Sequence, residues 1–269
     1  FESLILKPGI LTDNIQVLHH QTAEFSPSQL RFGIYLDEKA IVPGESRDQK
    51  TREYIGKVSL PPRDEHATNI LLFLCCGIEY RLKMPIAYHF TGKSDTGEAQ
   101  ANFLIELVKY TEENSNIKID FVVFDLGPTN VSMLKKLGMS LTKGNKTYWM
   151  LHPCDSTRKL YFIPDLEHCT KNVIAGLRNH NITIPKHFVE KFSLHSNTAK
   201  ILDVEHLCKS QEKYDFKGAK NLKDSIVNPD HFSKMRSHTF EALMSPAVVT
   251  SLELFDQIKR KRSNEKLNP

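Results

Sequence analysis

A chain of 269 residues is long enough for one large domain or two ordinary ones, and 40% hydrophobic with 25% charged residues is a globular composition that excludes wholesale disorder. The 36 basic and 32 acidic side chains leave a charge of +4, too mild to argue for nucleic acid by itself. No stretch reaches the roughly 18 apolar residues a membrane helix needs, so no membrane partner is expected.

Residues 30–36 (LRFGIYL) read as a buried strand, followed at once by Asp37 and Glu38. Residues 54–60 (YIGKVSL) alternate apolar and polar side chains, as a half-buried strand does. Residues 70–78 form a nearly continuous apolar run, and 85–90 (PIAYHF) extend the strand-rich part. The pattern to this point is a three-stranded antiparallel meander. Residues 95–110 then place Leu104, Ile105, Leu107 and Val108 on one helical face. A strand over 117–124 ends at Asp125, a short helix covers 130–137, and a strand over 159–163 precedes Asp165. Residues 166–178 read as a helix. After Asn179 the pattern turns helical throughout, at 185–194, 204–212, 229–243 and 246–260, the last ending in Lys259, Arg260, Lys261 and Arg262. Strands followed by alternating units imply an α/β mixed sheet flanked by helices, here followed by an all-α region. The expected division is 1–180 and 181–269.

Asp37 and Asp125 each follow a buried strand. Carboxylates at the ends of neighbouring strands converge, and two or three of them can hold a pair of hard divalent cations for phosphoryl transfer. The plain reading is that strand-end Asp residues are turn and cap residues. Other signals carry less. Thr91-Gly92-Lys93-Ser94 imitates the end of a phosphate-binding loop, but the loop needs a glycine where Ala87 stands. Cys75 and Cys76 are adjacent on a strand and point to opposite faces, which suits core packing rather than one zinc. The five cysteines have neither disulfide nor zinc spacing, so no zinc is expected. Trp149 reads as a core residue. Lys171 and Arg178 share a helix face that could meet a phosphate backbone. The 259–262 cluster suits a nuclear-import tag or nucleic-acid patch, or a solvated helix end.

The run LDEKAI (36–41) followed by REYIGKVSL (52–60) resembles the start of the RNase H-like catalytic domain of P-element and THAP-type transposases. There a Leu-Asp-Glu strand end precedes a Tyr-x-Gly strand. GIEYRLKMPIAYHFTGKSDTGEAQ (77–100) is similar to the family's Pro-Ile-Ala-Tyr strand and Thr-Gly turn into a helix. FVVFDLGPTNVSMLKKLGM (121–139) resembles its second-Asp segment, and IPDLEHCTKNVIAGLRN (163–179) its Asp-Pro-Pro-His-x-x-Lys helix. VNPDHFSKMRSHTFEALMSPAVVTSLE (227–253) resembles the helical insertion that interrupts that fold.

By position, the resemblance makes Asp37 and Asp125 the first two catalytic, metal-holding carboxylates, with Asp165, His168 and Lys171 accessory. It implies an RNase H-like sheet, Mg²⁺ or Mn²⁺ in an active copy, DNA as partner and a nuclear location. Lys171, Arg178 and Lys259 to Arg262 are the DNA-binding candidates. A guanine nucleotide, which the family's insertion can bind, is not assigned here. The family's third acid, a glutamate beyond the insertion, has no counterpart, and a Phe start reads as an excised segment. Leu166 and Glu167 replace the double proline, and Leu126 replaces a polar residue beside Asp125. These departures favour a domesticated, catalytically impaired copy acting as a DNA-associated or protein-binding scaffold, with a protein partner or a second copy. The alternative is an active core that cuts and joins DNA.

Overall fold

The computed structural model describes residues 7–49, 51–93, 96–142, 145–194, 196–215, 217–230, 233 and 237–265. They form two compact units, Phe1–Asp165 and Leu166–Pro269.

The first unit is built on one seven-stranded mixed sheet. Its strands are β1 (Gly9–Ile10), β2 (Arg31–Ala40), β3 (Asn69–Gly77), β4 (Lys83–Thr91), β5 (Lys118–Phe124), β6 (Trp149–His152) and β7 (Asp155–Pro164), in the order β1-β4-β3-β2-β5-β7-β6. β2, β3 and β4 are an antiparallel meander, whereas β5 runs parallel to β2 and β7 parallel to β5. The helices of this unit are α1 (Thr12–Gln21), α2 (Gly97–Glu113) and α3 (Pro128–Lys136).

Alternation decides which face is covered. Phe32, Ile34 and Leu36 of β2, Leu71, Phe73 and Cys75 of β3, and Ile86 of β4 are buried in one core with Leu104, Leu107 and Val108 of α2. Tyr35, Tyr161 and Ile163, on the other parity, are exposed. Cys75 is buried and Cys76 half-buried, as opposite-facing neighbours on a strand.

The three-stranded meander stands, but one expected strand lies outside it. Residues 54–60 do not join the main sheet. They split into Tyr54–Ile55, paired with Ser46–Arg47, and Lys57–Ser59, paired with Pro62–His66. Gly56 divides the run: its φ of +123° is one side chains rarely adopt, and a Cβ there would lie 2.1 Å from the Gly44 carbonyl oxygen. Trp149 is likewise not a core residue. It is half-buried at the edge strand β6, with Lys159 Nζ 3.9 Å above its ring.

A β-bulge in β5 sets the register of everything beyond it. Phe32 pairs with Ile119, but Gly33 pairs with Phe121, so Asp120 is the extra residue. Arg31 grips that residue with Nε and Nη2 on the two Asp120 oxygens at 2.5 and 2.6 Å. The insertion also re-phases the strand: Ile119 is buried before it, Val122 and Phe124 after it.

The second unit contains α4 (Leu166–Asn179), α5 (Lys186–Lys191), α6 (Ile201–Gln211), α7 (Asp224–Val227), α8 (Ser237–Leu243) and α9 (Pro246–Glu265). Its core joins Ile174 of α4 to Val204, Leu207, Leu222, Ile226, Phe240 and Val248. Ile174 explains why the units divide at 165 rather than at the expected 180: α4 packs with the helices that follow it. Among the described residues the all-α expectation has one exception, a short antiparallel ladder pairing Ile182–Thr183 with Thr198–Ala199. Among the described residues no helix is long and apolar enough to cross a membrane.

Candidate functional site

Asp37 lies inside β2 rather than after it as expected, whereas Asp125 and Asp165 follow the last residues of β5 and β7. After the bulge, Tyr35 pairs with Val123 and Pro164 with Phe124. Carried on by one or two residues, that register sets Asp37, Asp125 and Asp165 in a row on β2, β5 and β7. Neighbouring strands lie about 4.8 Å apart. Without the bulge, Asp37 would be level with Phe124 instead.

Asp37 and Asp125 line one cavity of about 190 Å³, with Leu36, Glu38, Leu71, Gln100 and the turn 127–130. The Asp37 side chain forms no hydrogen bond or ion pair among the described residues, and neither acid is paired with lysine or arginine there. Glu38, beside Asp37, accepts a hydrogen bond from the Thr91 hydroxyl.

Asp125 is held by the turn it begins. Its Oδ1 accepts the Gly127 amide at 3.0 Å and the Asn130 Nδ2 at 2.6 Å. Gly127 then caps α3, whose first residue is Pro128, pre-set for a helix start. A side chain at 127 would crowd this arrangement, since a Cβ there lies 3.0 Å from Asp125 Oδ1. Asn130 in turn accepts from Gln100 Nε2 of α2 at 2.7 Å. Gln100 is 2% exposed. Sequence reading singled out neither Gln100 nor Glu38. The only signal was a polar residue on the inward face of an amphipathic helix.

Asp165 extends the row but is absent from the cavity lining. Its amide donates to the Phe124 carbonyl at 2.7 Å, and its charge faces Tyr35. Partial desolvation first, then the charges of Cys76 and Asp165, hold the largely exposed Tyr35 phenol above its ordinary pKa.

The remaining candidates fall in the second unit. His168 is half-buried in α4. Lys171 Nζ donates to Glu167 Oε1 at 2.7 Å and lies 5.5 Å from the centre of the Phe240 ring. Arg178 Nη2 donates to the Ile226 carbonyl at 2.9 Å, and its Nε is buried without a partner. Both cations are thus engaged within their own unit. The backbone of 259–262 is part of α9, but the side chains of Lys259, Arg260, Lys261 and Arg262 lie outside the described residues, as do Ser94 and Asp95.

The donor set suits a hard divalent cation. It is all oxygen, and Asp125 Oδ2 takes no hydrogen bond from the described residues. A second group, Glu112, His152 and Cys154, also has ligand atoms within 4.8 Å of one another. Arg158 already fills it, with Nη2 2.7 and 2.8 Å from the Glu112 oxygens and 3.0 Å from His152 Nδ1. A metal there would have to displace a guanidinium, so the group reads as a buried ion-pair network.

Comparison with known proteins supports the fold. Residues 6–138 match the family model described as TNP-like, RNase H N-terminal domain. Among solved structures, the chain is similar to the Drosophila P element transposase strand transfer complex, with 17% identity and a TM-score of 0.73. That match covers 97% of this chain and 51% of the transposase chain, so this chain spans about half its length. No curated protein matches the sequence. The chain carries a P-element transposase-like RNase H fold.

Proposed function

We propose that this transposase-like fold serves a transposase-derived nuclear protein that engages DNA, and that Asp37 and Asp125 hold Mg²⁺ or Mn²⁺ against a phosphodiester. One observation carries the reading: two carboxylates level on adjacent parallel strands line one cavity, and no lysine or arginine among the described residues neutralises either. Two like charges so close repel, and a cation between them removes the repulsion. When bound, a pair of divalent cations activates an attacking oxygen and stabilises a leaving one. Asp37 and Asp125 would bind those cations and set their spacing. Leu36 and Leu71 give the cavity an apolar wall, and the 127–130 turn holds Asp125 in place.

The second reading, a domesticated scaffold that no longer cuts DNA, has one observation in its favour. Lys171 and Arg178, candidates for the phosphate backbone, spend their charges inside the second unit. Nicking of supercoiled plasmid in Mn²⁺ separates the two. The chain is expected to nick, and Asp37→Asn to fall to background. Equal nicking by both proteins sinks the assignment of Asp37. A folded chain that binds DNA but never nicks it supports the scaffold.

A further inference from the structure

The hydrogen bonds behind Asp125 form a directional relay. An ionised carboxylate only accepts, so the Asn130 amide must turn its NH₂ toward Asp125 and its oxygen away. That oxygen accepts Gln100 Nε2 at 2.7 Å. Gln100, buried in α2, therefore fixes which end of Asn130 faces the acid. The two helices approach closely enough for this because Gly97 has no side chain: a Cβ there would lie 2.4 Å from Ser132 Oγ of α3. The relay and the Gly127 amide converge on the same atom, Asp125 Oδ1, leaving Oδ2 without a donor from the described residues.

We infer that Asn130, aimed by Gln100, is a positioning residue for Asp125: it saturates Oδ1 and reserves Oδ2 for the metal. The inference rests on the metal reading of the cleft and adds to it a division of labour between the two oxygens. A carboxylate pinned at one oxygen cannot rotate away from the cavity, so less freedom is lost when a cation binds. Groups that orient a ligand in this way typically contribute about 10–100-fold in metal affinity.

The test is Mn²⁺ titration calorimetry on the whole chain and four variants. Asn130→Ala is expected to weaken binding about 10–100-fold. Gln100→Ala is expected to weaken it less. The Gln100→Ala/Asn130→Ala double variant should bind no worse than Asn130→Ala alone, because Gln100 acts only through Asn130. A purely structural Gln100 would give effects that multiply, and that result overturns the inference, as does wild-type affinity in either single variant. Asp125→Asn is the control. If it binds Mn²⁺ like the wild type, or the wild type binds none, the metal reading fails and takes this inference with it. If Asp125→Asn abolishes binding and Asn130→Ala does not weaken it, the metal reading stands and the inference alone falls. Should a variant lose its far-ultraviolet dichroism, the side-chain amide signals of Asn130 in the wild type decide. They are expected to shift on Mg²⁺ addition, and signals that stay fixed overturn the relay.

Discussion

Asp125→Asn will lose at least about 100-fold in Mn²⁺ affinity while the first unit stays folded, because a direct ligand must matter at least as much as the groups that orient it. The substitution is close to isosteric. An Asn side-chain oxygen at 125 can still accept the Gly127 amide and Asn130 Nδ2, now 3.0 and 2.6 Å from Oδ1. What is lost is the charge and the Oδ2 acceptor, which an NH₂ donor replaces. Asp37→Asn should behave alike, since the Asp37 side chain has no hydrogen bond or ion pair among the described residues to give up. Without metal, Asp37→Asn should melt within about 2 °C of the wild type, as substitutions free of packing and pairing do, and Asp125→Asn should stay folded because its oxygen keeps both hydrogen bonds. With Mn²⁺ at a hundred times the dissociation constant the wild type should gain about 2.7 kcal/mol, and the variants almost nothing. A variant that Mn²⁺ stabilises as much as the wild type would remove that carboxylate from the site.

Arg158→Ala will be strongly destabilising, costing up to about 3–5 kcal/mol, the usual result of removing the closest partner of a buried charge, although Lys118 Nζ stays 3.4 Å from Glu112 Oε2. The Glu112 side chain is 3% exposed. It accepts Arg158 Nη2 on both oxygens and the Ile119 amide at 2.7 Å, with His152 Nε2 3.3 Å away. Burial pushes the Glu112 carboxyl up, but the hydrogen bonds from His152, Arg158 and the Ile119 amide outweigh it and hold the pKa at about 2. That value lies below the ordinary 4.5, so the folded state favours the charged form. The resulting stability, of order 3 kcal/mol, is complete above pH 4.5 and drains away as pH falls toward 2. Urea denaturation between pH 7 and 3 checks both points. Arg158→Ala should unfold at far lower urea at pH 7, and Glu112→Gln should flatten the profile below pH 4.5. His89 makes a separate loss at higher pH. Burial holds its pKa at about 4, below the ordinary 6.5, so its contribution drains between those values. An Arg158→Ala protein within 1 kcal/mol of the wild type would show that Glu112 finds its stability elsewhere.

The parts of this fold that a periodic pattern encodes were legible in the sequence. The runs ending at Asp37 and Asp125 are long and apolar on one parity, so their strands and their acids could be read directly. The face of α2 was legible for the same reason, with Leu104, Leu107 and Val108 buried as expected and Ile105 half-buried beside them. What stayed hidden depends on single residues or on distant partners. Residues 54–60 alternate like a strand, but Gly56 turns the backbone and divides the run between two hairpins. The bulge at Asp120 leaves no periodic trace, yet it brings Asp125 rather than Phe124 level with Asp37. The compact units divide at 165 rather than 180 because α4, amphipathic in either context, shares a core with the later helices through Ile174 and meets them through Lys171 and Arg178. Gln100 and Arg158 act through partners 30 and 46 residues away, a separation no local pattern reports.

Anomalous scattering from a crystal soaked in millimolar Mn²⁺ tests the central claim most directly. The two-carboxylate reading predicts a peak about 2.0–2.6 Å from oxygens of both Asp37 and Asp125, with Asp125 contributing Oδ2. A cleft that stays empty under that soak, or a peak only beside Glu112, His152 and Cys154, would contradict it.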